Sequence, residues 1–223
     1  MRLLVVTAAS VIIAGVSGSV AWLRAQDSSS ASVRSLGLPP RVAPADYQFH
    51  AQAGSITIAA EFMGHGVPTE EGGPYSTADY VVVETALFGA PNAKIALSNQ
   101  DFSLRINGKK PPVPSQSYVL VFPTLRDPDW EPLNSEKEQA LTAASGGGRN
   151  QPQFRPAPPK MPIERRHLME QRVLKASLPV GDRVLPQAGL LFFEWHGDTK
   201  GIRSMELDYN GPTGKATLAL AKP

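Results

Sequence analysis

The segment Tyr80-Val81-Val82-Val83-Glu84-Thr85-Ala86-Leu87-Phe88 constrains the fold more than any other part of the chain. Branching at Cβ disfavours a helix and suits a pleated sheet, and the near-continuous apolar run predicts a central strand. Such a strand is buried on one face and nearly so on the other. Pro91-Asn92 ends it, so the strand needs partners from elsewhere in the chain.

Those partners are legible as alternation. Ile56, Ile58, Ala60 and Phe62 share one face at period two, and Lys94–Leu97 begins a further strand. Asp101–Ile106 alternates up to Asn107-Gly108, a step that tolerates positive φ at both residues and so predicts a hairpin turn. Ser117–Phe122, Gly189–Trp195, Ile202–Tyr209 and Lys215–Leu220 complete the set, with a bulge or strand start near Arg203, where Ile202 falls out of phase. Gly64 through Pro74 reads as a long turn. With 21 Pro and 19 Gly the chain is turn-rich, and no βαβ rhythm is present. Seven or eight strands joined in this way predict a mainly β fold, an immunoglobulin-like antiparallel β-sandwich with one or two short helices.

The pattern breaks once. Residues 123–162 form a Pro/Gly-rich insertion, expected to be flexible, with one short capped helix from Ser135 to Gly146. A better helix is expected at 163–176, where Ile163, Leu168, Met169, Val173 and Leu174 make an apolar face able to dock on a sheet edge or end. Its Arg165, Arg166, Arg172 and Lys175, interleaved with Glu164 and Glu170, are expected to form a solvated face.

The first 25 residues set the address. Arg2 precedes an uncharged run from Leu3 to Leu23, with small residues before Gln26, the layout of a cleavable signal peptide. Left uncut, residues 3–23 are long enough to serve as an N-terminal anchor. The domain is therefore expected outside the cytoplasm, periplasmic or secreted, or held at the inner membrane by its N-terminus. Residues 26–46, polar and broken by Pro39-Pro40, read as a disordered tether to the sandwich at 47–223. The formal charge of +2 comes from 22 basic and 20 acidic residues. Arg2 and Arg24 lie in the leader, which leaves the remainder neutral, so nucleic acid is not an expected partner and membrane contact is expected only through residues 3–23. Cysteine is absent, which removes disulfides, thiol catalysis and thiolate metal sites.

Four segments together carry a resemblance. These are Tyr80–Phe88, Asp101-Phe102-Ser103-Leu104 before Asn107-Gly108, Leu185 through Phe193, and Met205-Glu206-Leu207-Asp208-Tyr209. The chain resembles the telokin-like, immunoglobulin-type exported bacterial domains of the DUF4352 kind over about residues 50–122 and 180–220. Pro186-Gln187 stands where that family has Pro-Gly, and 123–178 is additional. The resemblance implies a fold and an exported setting, and carries over no catalytic residue.

Chemistry-bearing residues are sparse. His65 lies between glycines without further metal ligands nearby and reads as a solvated turn histidine. Asp127, Asp129 and Glu131 lack the ligand order of a calcium loop. Glu194 and His196 share the polar face of a strand and form the one candidate acid–base pair. No catalytic set, metal site or cofactor motif emerges, so the chain is expected to be non-enzymatic and cofactor-free. The working surface is expected on the insertion, with Trp130 and Phe154 as candidate binding residues, and on the adjoining helix, facing a protein or envelope component. Two alternatives remain open: a hydrolase of envelope polymer using Glu194 and His196, and a membrane-anchored structural accessory domain.

Overall fold

Tyr80–Phe88 forms strand β5, and Val81 through Leu87 are all buried. In the computed structural model, which describes residues 36–130 and 161–220, this strand lies third in an eight-stranded antiparallel sheet. The other seven are β1 (Phe49–Ala53), β2 (Ile56–Gly64), β7 (Phe102–Ile106), β8 (Val113–Gln116), β11 (Gln187–Glu194), β12 (Met205–Gly211) and β13 (Gly214–Leu220). Their order is β1-β2-β5-β11-β8-β7-β12-β13. The sheet wraps over until its edge strands β1 and β13 meet, which covers two edges that would otherwise offer unpaired backbone. The fold is mainly β, an immunoglobulin-like antiparallel sandwich whose two layers are continuous through this one sheet. Among the described residues no helix is long and apolar enough to cross a membrane.

The period-two residues fill the space between the layers. Ile58, Phe62, Val83, Phe193, Phe102, Leu104, Leu207 and Tyr209 belong to one inner core. The Asn107-Gly108 turn has positive φ at both residues, 53° and 68°. Asn107 also clamps the approach to β12: its Oδ1 accepts from the Arg203 and Ser204 amides at 2.6 and 3.2 Å. Strand β12 accordingly starts at Met205, just past the phase break at Ile202.

Strands β5 and β11 are buried on their second face as well. Val82, Leu190 and Phe192 belong to an outer core with Met169, Val173 and Ala176 of helix α2 (Ile163–Ala176). The helix occupies the span that its periodicity predicts, but it docks on the face of the sheet rather than on an edge or end. The small residues Ala59, Ala86 and Ala188 explain the rest of that face, because they admit Tyr47 from the N-terminal segment.

Three local expectations are corrected. Ser117–Phe122 is not a strand: after β8 the chain turns into a short helix, α1 (Tyr118–Val121). The Ser117 hydroxyl accepts from the Val119 amide, and Tyr118 packs on Phe122 at i+4, with ring centroids 5.4 Å apart. Cap and aromatic pair outweigh the strand preference of two valines. The turn after Gly64 contains β3 (Gly66–Val67) and β4 (Tyr75–Thr77), which join β9 (Leu125–Arg126) in a three-stranded sheet. Strands β6 (Lys94–Leu97) and β10 (Gly181–Val184) form a separate ribbon. Finally, residues 36–46 are a strap against the sheet, not a tether. Leu38 bridges to Ala188, and the Gly37 amide donates to the Lys175 carbonyl at 2.8 Å. The leader, residues 26–35, the expected helix after Ser135 and Phe154 lie outside the described residues.

One charge cluster pins the strap. Glu61 and Glu84 are direct cross-strand neighbours of β2 and β5, a like-charge pairing that is unfavourable alone. Arg41 lies against both, 2.6 Å from Glu61 and 3.1 Å from Glu84, and stacks on Tyr47. Burial pushes the Glu84 carboxyl above its ordinary range; Arg41 opposes that shift and Glu61 adds to it. An acid whose folded pKa is raised leaves the fold unpenalised at low pH and costs stability as pH climbs through that pKa. Arg41→Met is therefore expected to lose about 2 kcal/mol at pH 7 and clearly less at pH 4.5. The figure is below the usual cost of breaking a buried pair because Arg41 is a third exposed. Urea unfolding of both proteins at the two pH values checks this.

Candidate functional site

The three-stranded sheet and α2 together build a groove on the outer face of the sandwich. Val67, Tyr75 and Leu125 turn into the outer core beside Met169 and Val173. This packing brings the Gly72–Tyr75 turn, the residues after β9 and one stripe of the helix together. The stripe is Arg165, Leu168, Arg172 and Lys175, at the spacings that align side chains along a helix.

Each cation of the stripe meets a partner from the sheet side. Asp127, buried at the end of β9, accepts from Arg165 Nε at 2.7 Å. Its other oxygen accepts from the Asp129 amide at 3.0 Å and shapes the turn that carries Trp130. The Arg165 bond holds the Asp127 carboxyl below the ordinary carboxylate range, with burial acting the other way. By linkage, this contact adds stability above the unfolded aspartate pKa and loses it as pH falls through the lower, folded one. Arg172 Nη1 donates to the Tyr75 hydroxyl at 2.8 Å, and Lys175 pairs with Glu70 at 2.5 Å. Arg165, Arg172 and Lys175 are thus engaged and do not form a simple solvated face, while Arg166 stays exposed as expected.

The resulting concavity is about 460 Å³. Gly72, Gly73 and Tyr75 form one wall, α2 forms the other with Glu164, Arg165, Leu168 and Arg172, and Asp127 and Asp129 close an end. Gly72 has φ +94° and its missing side chain matters: a Cβ there would lie 2.4 Å from Arg172 Nη1. The volume falls in the range of small-ligand sites, while the lining is mostly charged, with Leu168 and Tyr75 as its large apolar and aromatic members.

Trp130 does not line this groove but is half-buried next to it, with the guanidinium of the lining residue Arg165 5.9 Å from its ring centroid. Phe154, the other expected binding residue, is outside the described residues. Glu194 and His196 are brought together, Oε1 to Nε2 at 2.8 Å, and Asp79 joins them at 3.4 Å from Nδ1. The hydrogen bond to Glu194, then that to Asp79, raises the His196 pKa. All three are exposed, and they line neither concavity found among the described residues. His65 is not a free turn histidine, since its ring nitrogens contact the carbonyls of Tyr80 and Gly197 at 2.7 and 3.1 Å. Asp127 and Asp129 face Arg165 rather than a shared cation position.

The residues that sequence reasoning missed are Gly72, Tyr75 and the inward roles of Arg165 and Arg172. The i, i+7 spacing of the two arginines was the available signal. Fold and groove define a class: a mainly β antiparallel sandwich that carries a helix-lined cleft on one outer face. No family model, curated protein or solved structure matches the chain.

Proposed function

We propose that this chain is a non-catalytic binding module, exported and working in the periplasm, at the cell envelope or outside the cell, with the groove beside α2 as its recognition surface. One observation carries the reading: the outer layer builds a cleft of about 460 Å³ in which Tyr75, Leu168 and paired charges converge, with Trp130 beside its Arg165. A rigid sandwich presenting such a cleft suits recognition of a protein or envelope component. The exported setting rests on the leader of residues 1–25 and on the resemblance to telokin-like exported domains.

Leu168 gives the test. It is 45% exposed and lines the groove, so Leu168→Asp alters the cleft without entering the core. Affinity capture from native envelope is expected to lose at least about tenfold of its specific partner with this variant, the cost of one misplaced charge at an interface centre. Ala219→Asp, on exposed strand β13, is expected to leave capture intact. Equal recovery by wild type and Leu168→Asp rejects the groove as the binding surface. Intact mass of the chain from cells is expected to start at Gln26; a retained residue 1 indicates the anchored form instead.

A further inference from the structure

We infer that the groove recognises a mixed-charge peptide segment in extended form, with a carboxylate at the Arg172–Tyr75 end and a basic group at the Asp129–Glu164 end. This rests on the proposed binding role and names the ligand chemistry. Asp127 neutralises Arg165 at 2.7 Å. Arg172 instead meets an uncharged phenol, and among the described residues no carboxylate lies within ion-pair distance of it. The Tyr75 oxygen accepts from Arg172 Nη1, and among the described residues its own O–H meets no acceptor. Guanidinium and phenol together offer convergent donors to one carboxylate, a charge-assisted arrangement.

The other end has the opposite sign. Asp129 is 73% exposed and only 3.9 Å from Arg165 Nη2, and Glu164 is exposed on the first turn of α2. Both carboxylates would repel a polyanion lying along the whole groove, which argues against nucleic acid or polyphosphate. Glu164 and Arg172 are eight positions apart on the helix, roughly 12 Å at 1.5 Å per residue. An extended peptide covers that span in about four residues, and its side chains alternate faces, so its acidic and basic groups are expected four positions apart, on the face turned to the groove. Leu168 lies between them as the apolar floor.

Capped hexapeptides added to the isotopically labelled full chain test this by amide chemical shifts. A peptide with Glu and Lys four positions apart is expected to shift Gly72, Gly73 and Leu168. It is expected to bind about fivefold tighter than its Glu-only and Lys-only analogues, the effect of one exposed ion pair. Arg172→Met is expected to abolish binding of the Glu-containing peptides. Should that variant unfold, the surface pair Asp129→Asn and Glu164→Gln decides: it is expected to erase the preference for Lys, with the Glu-only peptide bound at least as tightly as before. Binding of an all-acidic peptide as tight as the mixed one, or shifts confined to other surfaces, overturns the ligand assignment. That failure is separable from failure of the groove itself, which the Leu168→Asp capture experiment reports.

Discussion

Val173→Asp is expected to cost about 4 kcal/mol or more and to abolish any recognition by the groove, because it places an unpaired carboxylate in a closed apolar layer. Val173 is fully buried in the outer core with Met169, Ala176 and strand residues Val82 and Phe192. No described basic group of that core can pair with it. The inner core uses the alternate residues of the same strands, Val81, Val83, Leu191 and Phe193, and keeps its contacts. The expected signature in urea is therefore a large fall in midpoint together with early loss of hydrogen-exchange protection in α2. A fall below about 1 kcal/mol contradicts the packing of α2 as described.

Gly189→Ala is the second large effect. A Cβ on Gly189 would lie 2.5 Å from both N and Cα of Leu178 and 2.7 Å from the Ser177 carbonyl carbon. These are backbone atoms, so no rotamer change relieves the clash. Strand β11 is held along its whole length by β5, so the 177–178 segment has to lift. Lifting it strains the bond from the Leu178 amide to the Leu190 carbonyl, 3.0 Å, and moves the end of α2. Overpacking plus a weakened buried hydrogen bond predicts a loss of about 3 kcal/mol. Gly201→Ala meets nothing within 4 Å and serves as the near-neutral control. Thermal or urea unfolding of the pair separates the two results.

The inner core was readable in the sequence because period-two alternation is a local signal: Ile56, Ile58, Ala60 and Phe62 announce their face without reference to any partner. Tyr80–Phe88 likewise announced a strand covered on both sides, though not what covers it. The covering depends on contacts between distant segments. Arg41 comes from a stretch whose Pro39-Pro40 composition suggests a tether and Tyr47 directly follows it, and their sites on Ala59, Ala86 and Glu84 exist only once β2, β5 and β11 are aligned. Helix α1 was hidden by Val119 and Val121, whose strand preference yields to the Ser117 cap. The groove was least legible. Asp127 meets Arg165 across 38 positions and Tyr75 meets Arg172 across 97, so neither pairing leaves a mark in local composition. Trp130 stood out by its setting in a proline-rich loop, and Glu194 with His196 by alternation; both of the latter are exposed, although β11 ends at Glu194 and His196 lies past it.

The most direct measurement is site-specific photo-crosslinking of the full chain in its native cells, with the probe at Leu168 in one strain and at Ala219 in another. The binding role of the groove predicts discrete adducts from Leu168 and none from Ala219. Adducts from Ala219 alone, or identical patterns from both positions, contradict it.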